Sequence, residues 1–377
     1  MNRKSCPFWM RLKVMDNKVK IIKIGICGYG WIARKTYLPL INERSDMLVT
    51  DLLETSPQAI TDIKKESPGL RVHMDLESFL ESDTDAILVL SPNFTHVDYT
   101  MRALVAGKHV LCEKPLAFSG REIQEVVECA WAGRLVYLPG FANRFRQDIS
   151  AIKQMLVDGC IGKVVSINAD WIRKSGIPRP GTWFTNRKKS GGGVLIDLGS
   201  HIIDICLWWL NFPSDDLSIE KASLTTMCHD LKSGTAEWFD SDENRSLPVD
   251  VEDNASIILK SGENQIVKTA LSWFYPAEND YTCFSITGTE GKIELKTLFG
   301  FSRNRLWNDD ILTVEAGGKV QKKILDKQEN NSYNAFRKLI NLFGEKIKGA
   351  AVNSLSADEA GSSVSLIERI YESAGMK

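Results

Sequence analysis

The feature that most constrains this chain is a junction. A β-branched apolar run at residues 21–27 passes directly into Gly28-Tyr-Gly30-Trp-Ile-Ala33, and helical spacing takes over across residues 31–42. A short apolar run of this kind reads as a strand buried on both faces of a parallel sheet. Gly28 allows the tight turn, Gly30 lets the backbone approach an anion closely, and Ala33 lets the helix pack against the strand. The helix start adds free N–H groups and the positive end of its dipole. Strand, G-x-G-x-x-A turn and helix in this order predict a dinucleotide-binding unit, with Gly28, Gly30, Trp31 and Ile32 around the pyrophosphate. A second strand at 47–53 runs into Glu54, where a ribose-binding carboxylate belongs. A carboxylate there repels a 2′-phosphate, so NAD is the expected cofactor and NADP the alternative. Asp51 lies earlier in the strand and is the weaker candidate.

The alternation continues. Strands are expected at 85–90, 109–112 and 135–138, separated by helices at 57–65, 95–106 and 119–132. Such alternation with short connections implies right-handed crossovers and a doubly wound parallel sheet. After about residue 150 the texture changes. Helices are expected at 151–158 and 196–210, and strand-like runs at 164–171, 221–228, 255–259, 265–273, 283–287 and 292–295. Strands without intervening helices imply a mainly antiparallel sheet. Two closing helices, 332–348 and 356–374, each begin at a serine taken as the N-cap, and Ser356 with Glu359 forms a capping-box pattern. The acidic stretch 230–250 reads as a mobile loop.

A chain of 377 residues exceeds what one core ordinarily holds. The expected class is therefore α/β: an N-terminal Rossmann domain at 21–140, then an α/β substrate-binding and oligomerisation domain at 141–377 with a large open sheet. Residues 1–20 form a basic extension without a signal peptide's apolar stretch, and Met15 is an alternative start. The net charge of −1 argues against a nucleic-acid partner. No membrane span is expected, because the apolar run 202–210 is short and carries Asp204. None of the eight cysteines forms a CxxC pair or takes zinc-ligand spacing, so no metal is expected and a reducing, cytoplasmic setting is.

Two segments carry chemistry. Glu113-Lys114-Pro115 follows a parallel strand directly, and ligands of open α/β sheets bind beyond the carboxyl ends of strands. That aims Lys114 at the site. The second segment is Gly191-Gly-Gly-Val-Leu-Ile-Asp197-Leu-Gly-Ser-His201. On a helix Asp197 and His201 share a face, where histidine can take a proton near neutral pH and the carboxylate can orient it. Asp204 is left a structural role. Arg144, Arg173 and Trp183 are further candidates for the substrate side. Arg144, Arg173, Lys174 and Arg179 would suit a phosphate, although exposed surface charge is the plain account of all four.

These motifs together resemble the glucose–fructose oxidoreductase/inositol dehydrogenase (GFO/IDH/MocA) family. They are the GxGxxA turn, Ser91-Pro92-Asn93-Phe-Thr-His96, Gly107-Lys-His-Val-Leu-Cys-Glu113-Lys114-Pro115 and the run from Gly191 to His201. The resemblance implies a Rossmann domain followed by an open-sheet domain that packs against another subunit as a homodimer or homotetramer. It implies Ser91, Asn93, His96, Glu113 and Lys114 along the nicotinamide end of the groove, and a proline after Lys114 that is often cis. Lys114, Asp197 and His201 match the family's catalytic residues. The implied activity is hydride transfer between nicotinamide and a carbinol carbon of a sugar or cyclitol. Relatives with other activities, a redox-cycling glycosidase and a non-catalytic dinucleotide-binding regulator, are the alternatives. Some relatives carry an arginine where this chain has Phe184.

Overall fold

A computed structural model describes residues 21–211, 216–228, 248–349 and 357–376. The expected N-terminal extension, the acidic stretch up to residue 247 and the Ser356 cap lie outside them.

The first sheet is parallel. Its strands are β1 (Ile22–Cys27), β2 (Met47–Leu53), β3 (Arg71–His73), β4 (Ala86–Val89), β5 (His109–Glu113) and β6 (Tyr137–Gly140), in the order β3-β2-β1-β4-β5-β6. That order reverses between β1 and β4, which opens a crevice at their carboxyl ends. Strand β4 is buried throughout, as its unbroken run Ala-Ile-Leu-Val requires. Helices α1 (Leu38–Asn42), α2 (Pro57–Glu66), α3 (Leu76–Leu80), α4 (His96–Val105) and α5 (Gly120–Gly133) make the crossovers. A π-helical turn at Ala33–Tyr37 precedes α1. Helix α5 starts on a capping box in which Ser119 and Glu122 satisfy each other's backbone N–H groups.

The second sheet has eight strands. They are β7 (Val164–Ile172), β8 (Leu217–Thr225), β9 (Asn254–Ser261), β10 (Ile266–Ser272), β11 (Tyr281–Gly288), β12 (Gly291–Thr297), β13 (Asp310–Ala316) and β14 (Lys319–Leu325). Their order is β14-β13-β12-β11-β7-β10-β9-β8, and all neighbours are antiparallel except β7 and β10. Helices α6 (Gln147–Val157), the one-turn α7 (Arg187–Ser190) and α8 (Ser200–Leu210) accompany it. The helical stretch Arg187–Leu210 is long and apolar enough to cross a membrane, but its apolar 18-residue window is 83% buried inside the protein, where it serves as a core helix.

Two helices complete the chain, α9 (Ser332–Ile347) and α10 (Ala357–Ser373). The cap of α9 is Asn331, whose side chain accepts from Asn334 N at 2.9 Å; Ser332, expected to cap, is instead the first helical residue and donates to Gly300 O. Helix α9 belongs to the first core although it comes last but one in sequence. Ala335, Phe336, Leu339, Ile340, Leu342 and Phe343 are buried there among the Rossmann residues.

A polar knot joins the connection after β6 to the second sheet. Arg146 donates to both oxygens of Asp148 at 3.0 and 2.7 Å, and Asn330 bridges Asp148 and Asp310 at 2.8 and 2.9 Å. All four residues are buried. Breaking a buried ion pair from one side strands the other charge, at about 3–5 kcal/mol. We predict that Arg146→Met lowers unfolding stability by about that amount, read as the denaturant midpoint; an unchanged midpoint would refute the assignment.

Candidate active site

A cavity of about 490 Å³ lies at the crevice between β1 and β4 and extends to the second sheet. Gly28, Gly30, Trp31, Ile32, Glu54, Ser91, Asn93, His96, Glu113, Lys114, Arg173, Trp183, Asp197 and His201, all anticipated from sequence, line it.

The dinucleotide end has the expected build. Gly28 has φ +92°, and a Cβ there would lie 2.9 Å from Ser91 Cα, so only glycine fits without strain. A Cβ on Gly30 would meet nothing within 4 Å, which leaves the turn open toward the cavity. Glu54 accepts from the backbone N–H of Tyr29, Thr55 and Ser56 at 3.0, 2.8 and 2.9 Å. The carboxylate is thereby tied to the turn. An open glycine turn at a helix start, with a fixed carboxylate at the end of β2, is what a dinucleotide's pyrophosphate and ribose require. Asp51 is excluded from that role by its partners: it is fully buried and engaged by Arg71 and His73, each at 2.8 Å.

The middle of the cavity is held by residues that tie segments together. Asn93 donates to Ser190 O at 2.8 Å, linking the loop after β4 to the glycine run. The Ser91 hydroxyl lies 2.6 Å from that of Thr95. His96 is buried with its ring nitrogens 2.7 Å from Pro115 O and 2.8 Å from Ser91 O. Burial lowers its pKa while the two carbonyls pull the other way, and the ring braces the loop after β4 against the Lys114–Pro115 turn. Glu113 accepts from Tyr37 OH at 2.7 Å, and burial pushes its carboxyl above the ordinary range. The Lys114–Pro115 peptide is cis, as the resemblance implied.

At the far end two cores meet. Lys114 Nζ reaches Asp197 Oδ1 at 2.5 Å and Asp197 O at 3.1 Å. Asp197 Oδ2 accepts from Trp273 Nε1 at 2.8 Å and lies 3.8 Å from Arg173. Burial raises the Asp197 pKa, but Lys114 and Arg173 outweigh it and the net shift is downward, so Asp197 is ionised. Asp197 sits in a π-helical turn, Leu195–Gly199, that leads into α8. His201 lies in the first turn of α8, four residues after Asp197, and has Phe141 and Trp171 beside its ring. Burial, then the Lys114 charge, bring its pKa down to about 3 against the opposing pull of Asp197, so the imidazole is neutral.

Two expectations need correction. Asp197 shares the cavity with His201, but among the described contacts its carboxylate is taken by Lys114 and Trp273 rather than by the imidazole. Arg144 does not line the cavity. It is buried in a two-pronged ion pair with Asp204 at 2.8 and 2.7 Å and reaches Glu359 at 2.9 Å, which fixes both its charge and the structural role of Asp204. Lys174 likewise lies outside the cavity wall, while Arg179 forms part of it. Trp171 and Trp273 were not anticipated. They close β7 and follow β10, two strands paired in parallel, and single-chain patterning carries no signal of that pairing.

Residues 22–141 match the family described as an oxidoreductase family with an NAD-binding Rossmann fold, and residues 149–294 match the GFO/IDH/MocA C-terminal domain. The chain belongs to the GFO/IDH/MocA family. Among its curated relatives is a protein of Amycolatopsis mediterranei described as the candidate oxidoreductase subunit of a UDP-kanosamine synthase, 28% identical over 94% of this chain and 96% of that one. The D-glucoside 3-dehydrogenase of Escherichia coli is 29% identical over 51% of this chain and 55% of that one. A 3-ketoreductase from Actinomadura kijaniata, crystallised with NADP, has the same fold with a TM-score of 0.73 at 20% identity, covering 92% of this chain and 96% of that one. This GFO/IDH/MocA chain thus carries an NAD-binding Rossmann domain.

The neutral His201 gives a pH test. Its folded pKa is about 3 against an ordinary 6.5, so between those values the unfolded chain binds a proton that the folded one refuses. The contribution is fully present above 6.5 and is lost as pH falls toward 3. We predict that stability drops by up to about 1.4 kcal/mol per pH unit in that window, and that His201→Asn makes the drop shallower. Parallel curves would show that His201 does not titrate this way.

Proposed function

We propose that this oxidoreductase is an NAD-dependent dehydrogenase acting on a secondary alcohol, or the matching ketone, of a sugar, sugar derivative or cyclitol. The observation that carries the reading is the convergence of Lys114 and His201 at one end of a single cavity, with the glycine turn and Glu54 at the other. The activities of named relatives, a D-glucoside 3-dehydrogenase among them, support the substrate class. The aromatic walls Trp171, Trp183 and Phe184 offer flat apolar faces of the kind that pack against sugar C–H groups.

When bound, NAD supplies the hydride acceptor, and its reduced form the donor. The chain's own part is the proton. Neutral His201 is the form that can accept the hydroxyl proton as the alcohol is oxidised. Lys114, fixed by two contacts to Asp197, presents its charge to the oxygen as alkoxide character develops. The Asp197 carboxylate offsets the cations that otherwise oppose an imidazolium at position 201. Asp197 therefore positions Lys114 and balances its charge. In the reductive direction His201 returns the proton.

The test is nicotinamide absorbance with NAD or NADP against myo- and scyllo-inositol, glucose, glucose 6-phosphate and UDP-sugars. The expected result is turnover with NAD preferred, and kcat lower by on the order of 10²–10⁴ in Lys114→Ala and His201→Ala. Cofactor binding without turnover on any polyol would overturn the dehydrogenase reading, and release of a free sugar would indicate redox-cycling glycoside cleavage instead. We also propose a homodimer or homotetramer formed through the outer face of the eight-stranded sheet. Light scattering reads this directly, and a monomeric mass would refute it.

A further inference from the structure

The helix that presents Asp197 and His201 begins in a glycine run, and its first N–H groups need acceptors. One residue from a distant segment supplies three of them. Glu252 Oε1 accepts from Gly193 N at 2.9 Å and Leu195 N at 3.1 Å, while Glu252 O accepts from Val194 N at 2.9 Å. The same Oε1 accepts from Tyr371 OH on α10 at 2.7 Å. Glu252 is fully buried, and its Oε2 has no hydrogen-bond partner among the described residues. A buried carboxyl that leaves one oxygen unsatisfied is costly and is kept where something else depends on it.

The glycines record how tight this seat is. A Cβ on Gly193 would lie 1.9 Å from Glu252 O, and one on Gly192 would lie 1.9 Å from Tyr371 OH. Gly191 has φ +84° and a Cβ there would strike the Phe118 ring at 2.4 Å. The run is therefore a clearance for Glu252, Tyr371 and Phe118, and neither Glu252 nor Tyr371 lines the cavity. From the Oε1 contacts the helix runs through Asp197, whose partner is Lys114, to His201, one turn further on.

We propose that Glu252 and Tyr371 are a positioning pair: they fix the axial position and rotation of the Asp197–His201 helix, so that the terminal helix α10 sets the geometry of the proton-transfer site without touching it. The proposal rests on the dehydrogenase reading for its kinetic consequence and on the structure alone for its mechanical one.

The experiment has two arms. In the first, Glu252→Leu, Glu252→Gln and Tyr371→Phe are compared with the wild type for kcat, KM and NADH dissociation constant. Misplacement by about 1 Å at a reacting centre can cost on the order of 10²-fold, so Glu252→Leu is expected to lower kcat by on the order of 10–100-fold. Tyr371→Phe should cause a smaller fall. NADH binding should stay within about twofold, because the glycine turn is untouched. Glu252→Gln keeps an acceptor oxygen for all three donors and should recover most of the lost kcat. In the second arm, amide hydrogen exchange at residues 193–201 is followed without substrate, and should accelerate in Tyr371→Phe and Glu252→Leu. Unchanged exchange there would overturn the proposal, whatever the substrate turns out to be. Equal loss of kcat and NADH affinity would also overturn it, since that is general destabilisation. Wild-type protein that turns over nothing, with exchange accelerated as expected, would count against the dehydrogenase reading and leave the positioning pair supported.

Discussion

The Lys114–Asp197 ion pair is the contact on which the working arrangement depends. It joins a turn at the carboxyl end of a parallel strand in one core to a helix in the other. Each partner is buried enough that an unpaired charge would be expensive, so neither can leave without the other's compensation. The Trp273 indole and the Arg173 guanidinium close the remaining sides of the carboxylate. The pair therefore registers the two cores against each other at the point where a substrate oxygen would sit. It also bears on His201, whose neutrality is due first to burial: the Lys114 charge adds to that effect and Asp197 opposes it.

Much of this was legible in the residues. The turn from Gly28 to Ala33, the carboxylate at Glu54 and the approach of Lys114 are local consequences of a strand ending at a sheet's carboxyl edge, and local patterning reads them well. Asp197 and His201 were found because they sit one turn apart in one segment. What escaped was contact between distant segments. Arg144 looked available because nothing in its neighbourhood shows that Asp204 will be buried beside it. Asn331 was passed over as a cap because Ser332 is just as good a candidate in sequence, and only the backbone at 331, extended at φ −138°, decides. Strands β3, β13 and β14 were missed for a related reason. The first is three residues long, and β14, Lys-Val-Gln-Lys-Lys-Ile-Leu, is an edge strand exposed along almost its whole length, so its charge masks its pairing.

The glycine run teaches a different lesson. Beside a catalytic motif, three glycines invite comparison with phosphate-cradling loops. Their surroundings give another reason: a carbonyl, a phenol and an aromatic ring each occupy the volume a side chain would need. The same residue type thus serves opposite ends here, opening space at Gly30 and surrendering it at Gly193.

The seat of α9 has a consequence for how this protein comes into being on the ribosome. The Rossmann core is encoded early, but part of its hydrophobic lining arrives only with Phe336, Leu339, Ile340 and Phe343. Phe336 closes edge-on against Tyr37, a residue of the very first crossover. Until those late residues emerge, the nascent first domain presents an apolar groove to water or to whatever escorts it. The first core is therefore complete only once residues of the second half have been made.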